Sequence, residues 1–338
     1  MKILIVGAGG FIGSHLAETI LRIHQDWSVV ALDISDAKIS HLLGKENLSF
    51  IQSNILTDAE LLEQQVAACD VVFPLAAIAS PSIYVTDPLR VFELDFEANL
   101  RIVRLAVKHG KRVIFPSTSE VYGMCSDEIF DEENSNCVTG PICKQRWIYS
   151  CSKQMLDRVI YAYGVKNNLN YTLFRPFNWV GPRLDDISRC DNGTSRVVTQ
   201  FLSCILHGKN ISLVDGGVQR RSFTYISDGI DALIKILENE NGCANQQIFN
   251  IGNQNNELTI KELAEKILSF ASRYSKALGE QLPKVKIVNV VSKDYYGNSY
   301  QDVSRRVPSI RKAKDILAWT PSVGIDDLLV RTMDFYFV

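Results

Sequence analysis

Tyr149 and Lys153 stand four residues apart in the run Tyr-Ser-Cys-Ser-Lys. On a helix that spacing puts both side chains on one face. A free tyrosine titrates near pH ~10 and is a poor base at neutral pH. An ammonium beside it favours the phenolate and turns it into a general base. Alone, such a pair is ordinary surface decoration. Two other groups change its weight. Ser117-Thr118-Ser119 ends an apolar run and offers hydroxyls that can pass a proton. Gly7, Gly10 and Gly13, with Gly9 also present, follow the first apolar run and open a helical pattern. Glycines there permit a tight turn and close backbone approach to a pyrophosphate, with Phe11, Ile12 and Gly13 supplying N–H groups at the helix start. Asp33 ends the second run, about 20 residues beyond the last of these glycines. Its carboxylate suits the adenine-ribose hydroxyls and would repel a 2′-phosphate, so the expected cofactor is NAD rather than NADP.

These groups need a frame. Strands are expected at Lys2–Val6, Val29–Leu32, Leu48–Gln52, Asp70–Phe73, Arg112–Phe115 and Tyr171–Phe174. Helical patterns intervene at Phe11–Ile23, Leu89–His109 and Trp147–Asn167. Alternation of this kind implies a parallel sheet covered on both faces, and right-handed crossovers make it doubly wound. Past Asn178 the loops are richer in Gly, Pro, Asn and Asp. Helices are expected near Thr194–His207, Asp228–Glu238, Thr259–Ser272 and Asp326–Phe337, with a strand at Gln247–Gly252. Asp294–Arg311 is polar and aromatic without a clean period, and reads as a long functional loop. The expected fold is α/β: a Rossmann-like doubly wound parallel sheet with a smaller C-terminal substrate-binding α/β domain. The division is 1–177 for NAD and 178–338 for substrate, with some elements crossing over.

Composition excludes several classes. The chain has 338 residues, 46% hydrophobic and 22% charged, with a formal net charge of −2. No apolar run approaches the ~18–20 residues of a membrane span, and Met1–Gly10 is too short in its apolar part for a signal peptide. A near-neutral chain has no broad footprint for nucleic acid, so neither nucleic acid nor membrane is an expected partner. Eight cysteines, Cys190 among them, form no CxxC pair; free thiols in a cytoplasmic protein and no metal site are expected. Asn170-Tyr-Thr, Asn192-Gly-Thr and Asn210-Ile-Ser fit the glycosylation pattern and carry no weight without a secretion signal.

With the glycine motif, the Ser/Thr strand end and Tyr149/Lys153, the chain resembles the extended short-chain dehydrogenase/reductases that act on nucleotide sugars, over nearly its whole length. The resemblance adds Leu75-Ala76-Ala77 to the cofactor site. It also adds Arg221, in Arg221-Ser-Phe-Thr-Tyr225-Ile-Ser-Asp228, as a diphosphate ligand. Where the family has Asp-Ile or Asp-Leu near the adenine, this chain has Asn54-Ile55.

Ser119-Glu120 narrows the reaction. Sugar 4,6-dehydratases carry an Asp where Ser119 stands, and lose their acid without it. Epimerases usually lack a carboxylate at the next position, and UDP-apiose/xylose synthases tend to carry a cysteine in place of Ser119. Ser-Glu is similar to the UDP-glucuronic acid decarboxylases. Arg175-Pro-Phe-Asn178-Trp-Val-Gly-Pro-Arg183-Leu-Asp185, Lys144-Gln-Arg146-Trp147 and Tyr295-Tyr-Gly-Asn-Ser-Tyr300-Gln-Asp-Val-Ser-Arg-Arg306 resemble the decarboxylase domain of the bifunctional polymyxin-resistance enzymes. With the dinucleotide-binding run at the start of the sequence, a free-standing enzyme without a fused formyltransferase domain is expected. The resemblance implies Tyr149 as base, Lys153 as its partner and ribose ligand, and Ser119 or Thr118 as helper. Glu120 and Arg306 would attend the scissile carboxylate, although Arg305 next door leaves that choice open by one residue. Asn178, Arg196, Arg221 and Tyr300 would hold UDP-glucuronic acid. The product is UDP-4-keto-pentose, or UDP-xylose if the hydride returns. A homodimer through the helices near Glu93–His109 and Trp147–Asn167 is also implied. An NAD-sensing, non-catalytic protein is the competing class, but such proteins usually lose the tyrosine or the lysine, and both are present here.

Overall fold

The computed structural model describes residues 1–188 and 195–338; Cys190 and the Asn192-Gly193-Thr194 pattern lie outside the described residues. Strands run as β1 (Lys2–Val6), β2 (Ser28–Asp33), β3 (Leu48–Gln52), β4 (Val71–Pro74), β5 (Arg112–Pro116), β6 (Tyr171–Pro176), β7 (Trp179–Val180) and β8 (Ile211–Val214). The series continues with β9 (Arg220–Ser222), β10 (Thr224–Tyr225), β11 (Gln247–Ile251), β12 (Glu257–Thr259), β13 (Ile287–Val290) and β14 (Arg305–Arg306). The longer helices are α1 (Phe11–Ile23), α2 (Ala59–Ala68), α3 (Asn99–His109), α4 (Trp147–Asn167), α5 (Val197–Leu206), α6 (Ile226–Glu238), α7 (Ile260–Ala271) and α8 (Ile325–Phe337).

Seven strands form one parallel sheet in the order β11-β6-β5-β4-β1-β2-β3. The chain works outward from β1 in both directions, so the order reverses between β1 and β4. Ligands bind in the crevice outside the carboxyl ends of strands at such a reversal. Period-two alternation divides the core. Ile3 and Ile5 of β1 face Leu16, Ala17 and Ile20 of α1, whereas Leu4 and Val6 face the apolar sides of α2, α3 and α4. Both faces are covered, which is why these strands read as unbroken apolar runs. The α1-side cluster extends without a break into the second half, through Trp179, Phe201, Leu233 and Met333. Strand β11, from the second half, closes one edge of the main sheet.

Three expectations change. Leu89–His109 is not one helix: a short helix over Pro88–Phe92 leads into a π-helical turn at Glu93–Ala98 before α3 begins. Asp95 and Asn99 there turn their side chains to backbone groups of the loop after β4, and periodicity does not encode such bonds. Helix α2 was not anticipated, because only Leu62 and Val66 of its ten residues are buried and its pattern is faint. Asp294–Arg311 is not structureless: it ends a short helix at Ser292–Tyr296, carries β14, which pairs with β9 in parallel, and at Arg311 opens a helix running to Leu317. Among the described residues no helix is long and apolar enough to cross a membrane.

Candidate active site

A cavity of about 500 Å³ opens over the carboxyl ends of β1, β4 and β5. Gly7 leaves β1 with a φ of 90°, in the left-handed region, and a Cβ there would come within 2.5 Å of the Ala76 backbone nitrogen. At Gly13 it would come within 2.3 Å of the Gly7 carbonyl oxygen. Only glycine fits these two close approaches. Helix α1 then starts at Phe11 with no side-chain cap, and Phe11, Ile12 and Gly13 line the cavity. Uncapped N–H groups at a helix start are a ready anion site. Asp33 is aimed at the same loop: its carboxylate accepts from the Gly9 N–H at 2.8 Å and the Ser35 N–H at 3.1 Å. This cradle fits a dinucleotide. Leu75 and Ala77 line its far wall, and Ala76 backs Gly7. Asn54 and Ile55 stand apart from the cavity. The Asn54 side chain caps its own turn at Leu56, and Ile55 is buried in the core under the sheet.

Tyr149 and Lys153 project from the first two turns of α4 into the cavity. Thr118 lines the cavity with Tyr149, and its hydroxyl accepts from the Glu120 N–H at 3.1 Å. Ser119 is buried in the cavity wall beside it. Ser117 also lines the cavity, and its hydroxyl donates to Asp157. Lys153 donates to the Pro116 carbonyl at 3.1 Å, with its ammonium 5.9 Å from the Tyr149 ring centre. Burial pushes the Tyr149 phenol well above its ordinary value, and Asp95 adds to this. Burial also draws the Lys153 ammonium down, against Asp95 and Asp157, which hold it up.

Glu120 is the centre of the second cluster. One oxygen takes Arg146 at 2.7 Å and the other takes Arg306 at 2.7 Å. Burial would raise this carboxyl, but the two guanidinium charges prevail and hold it at about 2. Strand alternation settles which arginine faces inward. Arg306 points to Glu120, whereas Arg305 turns outward to Glu257 at 2.7 and 3.0 Å. Arg221 lines the cavity, paired with Asp302 at 2.7 Å. Arg196 lies at the mouth, paired with Asp185 and 40% exposed. Asn178, at a positive φ of 39°, ties β7's approach to Ser222. Tyr300 stacks on Tyr296 at 4.1 Å, and both line the wall.

Sequence reasoning did not single out four of the lining groups or their supports. Arg146 is fully buried, lying over Trp147 and against Tyr300; its position three residues before Tyr149, on the same helix face, was the available signal. Tyr84 stacks on Tyr149 at 4.6 Å and 6°. Asp302 and the buried Asp95 complete the set, and no local pattern marks them. Among the described residues no group of acidic, His and Cys side chains could hold a metal.

Comparison with known proteins agrees with the cradle. Residues 3–252 match the model of the NAD dependent epimerase/dehydratase family. The structure is similar to that of the PbgP3 protein from Burkholderia pseudomallei, with 50% identity and a TM-score of 0.90 over 99% of this chain and 96% of that one. It is also similar to UDP-glucuronic acid 4-epimerase from Bacillus cereus in complex with UDP-glucuronic acid and NAD, at 25% identity and a TM-score of 0.79 over 99% and 98%. The fold is shared with UDP-glucose 4-epimerase from Thermotoga maritima, at 24% identity and a TM-score of 0.81 over 99% and 98%. A glycine cradle with Asp33 behind it, a Tyr/Lys pair facing it and a family match over three-quarters of the length lead to one statement: the chain belongs to the NAD dependent epimerase/dehydratase family, and its cofactor is NAD.

Proposed function

We propose that this protein is an NAD-dependent decarboxylase of UDP-glucuronic acid, releasing UDP-4-keto-pentose. The observation that carries the reading is Glu120, clamped between Arg146 and Arg306 on the cavity wall next to Tyr149. Two buried guanidinium groups share one carboxylate, so the cluster keeps a positive charge for a second anion. A sugar carboxylate is planar and takes an arginine in two-point fashion. The Bacillus cereus relative, with UDP-glucuronic acid and NAD bound, shows that this fold accommodates the substrate class.

NAD supplies the acceptor for the hydride at C4. Tyr149 takes the proton of the C4 hydroxyl, with Thr118 and Ser119 beside it on the cavity wall. Lys153, fixed on the Pro116 carbonyl, would hold the cofactor's ribose. The C4 ketone then stands β to the C5 carboxylate, so carbon dioxide leaves with its bonding electrons passing into an enolate. Glu120, ionised at any neutral pH, is an acceptor and not a proton donor. Arg306 is permanently charged and serves as an electrostatic group. Between them they would place the water that protonates C5. Asn178, Arg196, Arg221 and Tyr300 hold the nucleotide and diphosphate. The nucleotide half, 1–177, and the sugar half, 178–338, meet at this cleft. We place the enzyme in the cytosol, where the free thiols of Cys143 and Cys151 stay reduced.

The test is incubation with NAD and UDP-glucuronic acid, following carbon dioxide, NADH absorbance and the sugar product together. Stoichiometric carbon dioxide and NADH with a 4-keto-pentose support the reading. Turnover of UDP-glucose or UDP-galactose in its place overturns it. Tyr149→Phe should lose activity by about a hundredfold or more while still binding NAD; a variant that remains active overturns the assignment of the base.

A further inference from the structure

The turn after β7 draws cations from both halves of the molecule to one point. Lys38, in the segment after β2, donates to the Leu184 carbonyl at 3.1 Å. Arg196, the residue before α5, donates to the same oxygen at 3.3 Å. A shared acceptor holds the two charged nitrogens close together. Lys38, Leu184 and Arg196 all line the cavity that takes in the start of α1.

Residues 182–185, which offer that acceptor, are tied down on both sides. Arg183 has a φ of 65°, a left-handed conformation that a bulky residue keeps only when its surroundings hold it. Its guanidinium donates to the Lys38 carbonyl at 3.3 Å, to Glu18 at 2.5 Å and to His15 Nδ1 at 2.8 Å. The other ring nitrogen of His15 donates to the Pro182 carbonyl at 2.8 Å. On the far side, the Tyr336 hydroxyl of α8 donates to the Asp185 carbonyl at 2.8 Å. The charges do not cancel. Among the described residues Glu18 pairs with Arg183 and Asp185 with Arg196, while Lys38 has only the Leu184 carbonyl. Asp33 is turned to the Gly9 and Ser35 N–H groups. An ammonium on a single carbonyl has donors to spare. Two cations side by side repel unless an anion joins them.

We propose that Lys38 and Arg196 form a clamp across the cleft for a diphosphate, so that both halves of the molecule grip one ligand. A guanidinium meets phosphate oxygens in pairs and an ammonium acts as a compact point charge, and a diphosphate has oxygens for both. Two diphosphates enter this cavity, that of NAD and that of the nucleotide sugar; the second rests on the function proposed above.

The test is titration calorimetry of NAD and of UDP, each alone, on the wild type, Lys38→Met, Lys38→Gln and Arg196→Met. Lys38→Gln can still donate to the Leu184 carbonyl, so it removes the charge and spares the turn. All three variants should lose about tenfold in affinity for the same one of the two ligands, and Lys38→Arg should recover most of it. The ligand affected names the source: the cofactor's pyrophosphate if it is NAD, the nucleotide sugar's diphosphate if it is UDP. Equal weakening of both ligands overturns the proposal, because mere loss of positive charge does that. Losses at different ligands for Lys38 and Arg196 overturn it too. So does full affinity in Lys38→Gln, which leaves Lys38 as a strap for the turn. If the wild type does not act on UDP-glucuronic acid, the proposed reaction fails while these affinities still decide the clamp.

Discussion

Glu120 shows how much a single residue can carry. Among the described residues it is the only carboxylate bonded to both Arg146 and Arg306, and each of those is almost wholly buried. Removing one partner of a buried ion pair costs more than the pair contributes, because the other charge stays behind. Glu120→Gln should therefore lower unfolding stability by about 3 kcal/mol, read as a shift in the urea midpoint, and should slow decarboxylation more than hydride transfer. An unshifted midpoint would mean that the arginines have other support. Tyr149 and Lys153 were legible from residue type and spacing, and Glu120 and Arg221 from the family resemblance. Asp95 and Tyr84 were not, because each acts through a contact between segments that the chain order keeps apart.

At the level of elements, the glycine turn and the β14 strand position the chemistry in different ways. The glycine turn is local and was readable: Gly13 must pass the Gly7 carbonyl, so Gly13→Ala would force α1 away from β1. We expect it to cost about 1–3 kcal/mol and to abolish NAD binding in a fluorescence titration. Gly10→Ala, whose Cβ would meet only the Gly7 carbonyl at 3.1 Å, should be markedly milder. Equal effects at the two positions would contradict this account of the turn. β14 is non-local and was not readable. Two residues have no measurable period, and Arg305–Arg306 become a strand only because β9 offers a parallel edge. The π-helical turn before α3 escaped for a similar reason: its cause lies in the side chains of Asp95 and Asn99 reaching back to the loop after β4.

For the whole molecule, the main sheet followed from alternating apolar runs, whereas which element crosses between the halves did not. One apolar cluster runs from β1 to α8, and β11 returns from the second half to the main sheet. Outside that core, α4 leaves Met155, Tyr161 and Val165 half or more exposed, within an arc of roughly 120°. An apolar stripe on the side of α4 away from Tyr149 and Lys153 is what a two-fold interface would cover. We expect the protein to scatter light as a dimer and Val165→Glu as a monomer; a wild-type monomer would remove the idea. A last consequence follows from the pairing of β9 with β14. Their register sets Arg221 directly beside Arg306, so the two cations ride on one rigid ribbon, adjacent strands lying about 4.8 Å apart. If one grips a diphosphate and the other a sugar acid, the ribbon is a caliper. It measures how far the acid stands from the phosphates, and a sugar of another length or with its acid elsewhere would close only one jaw.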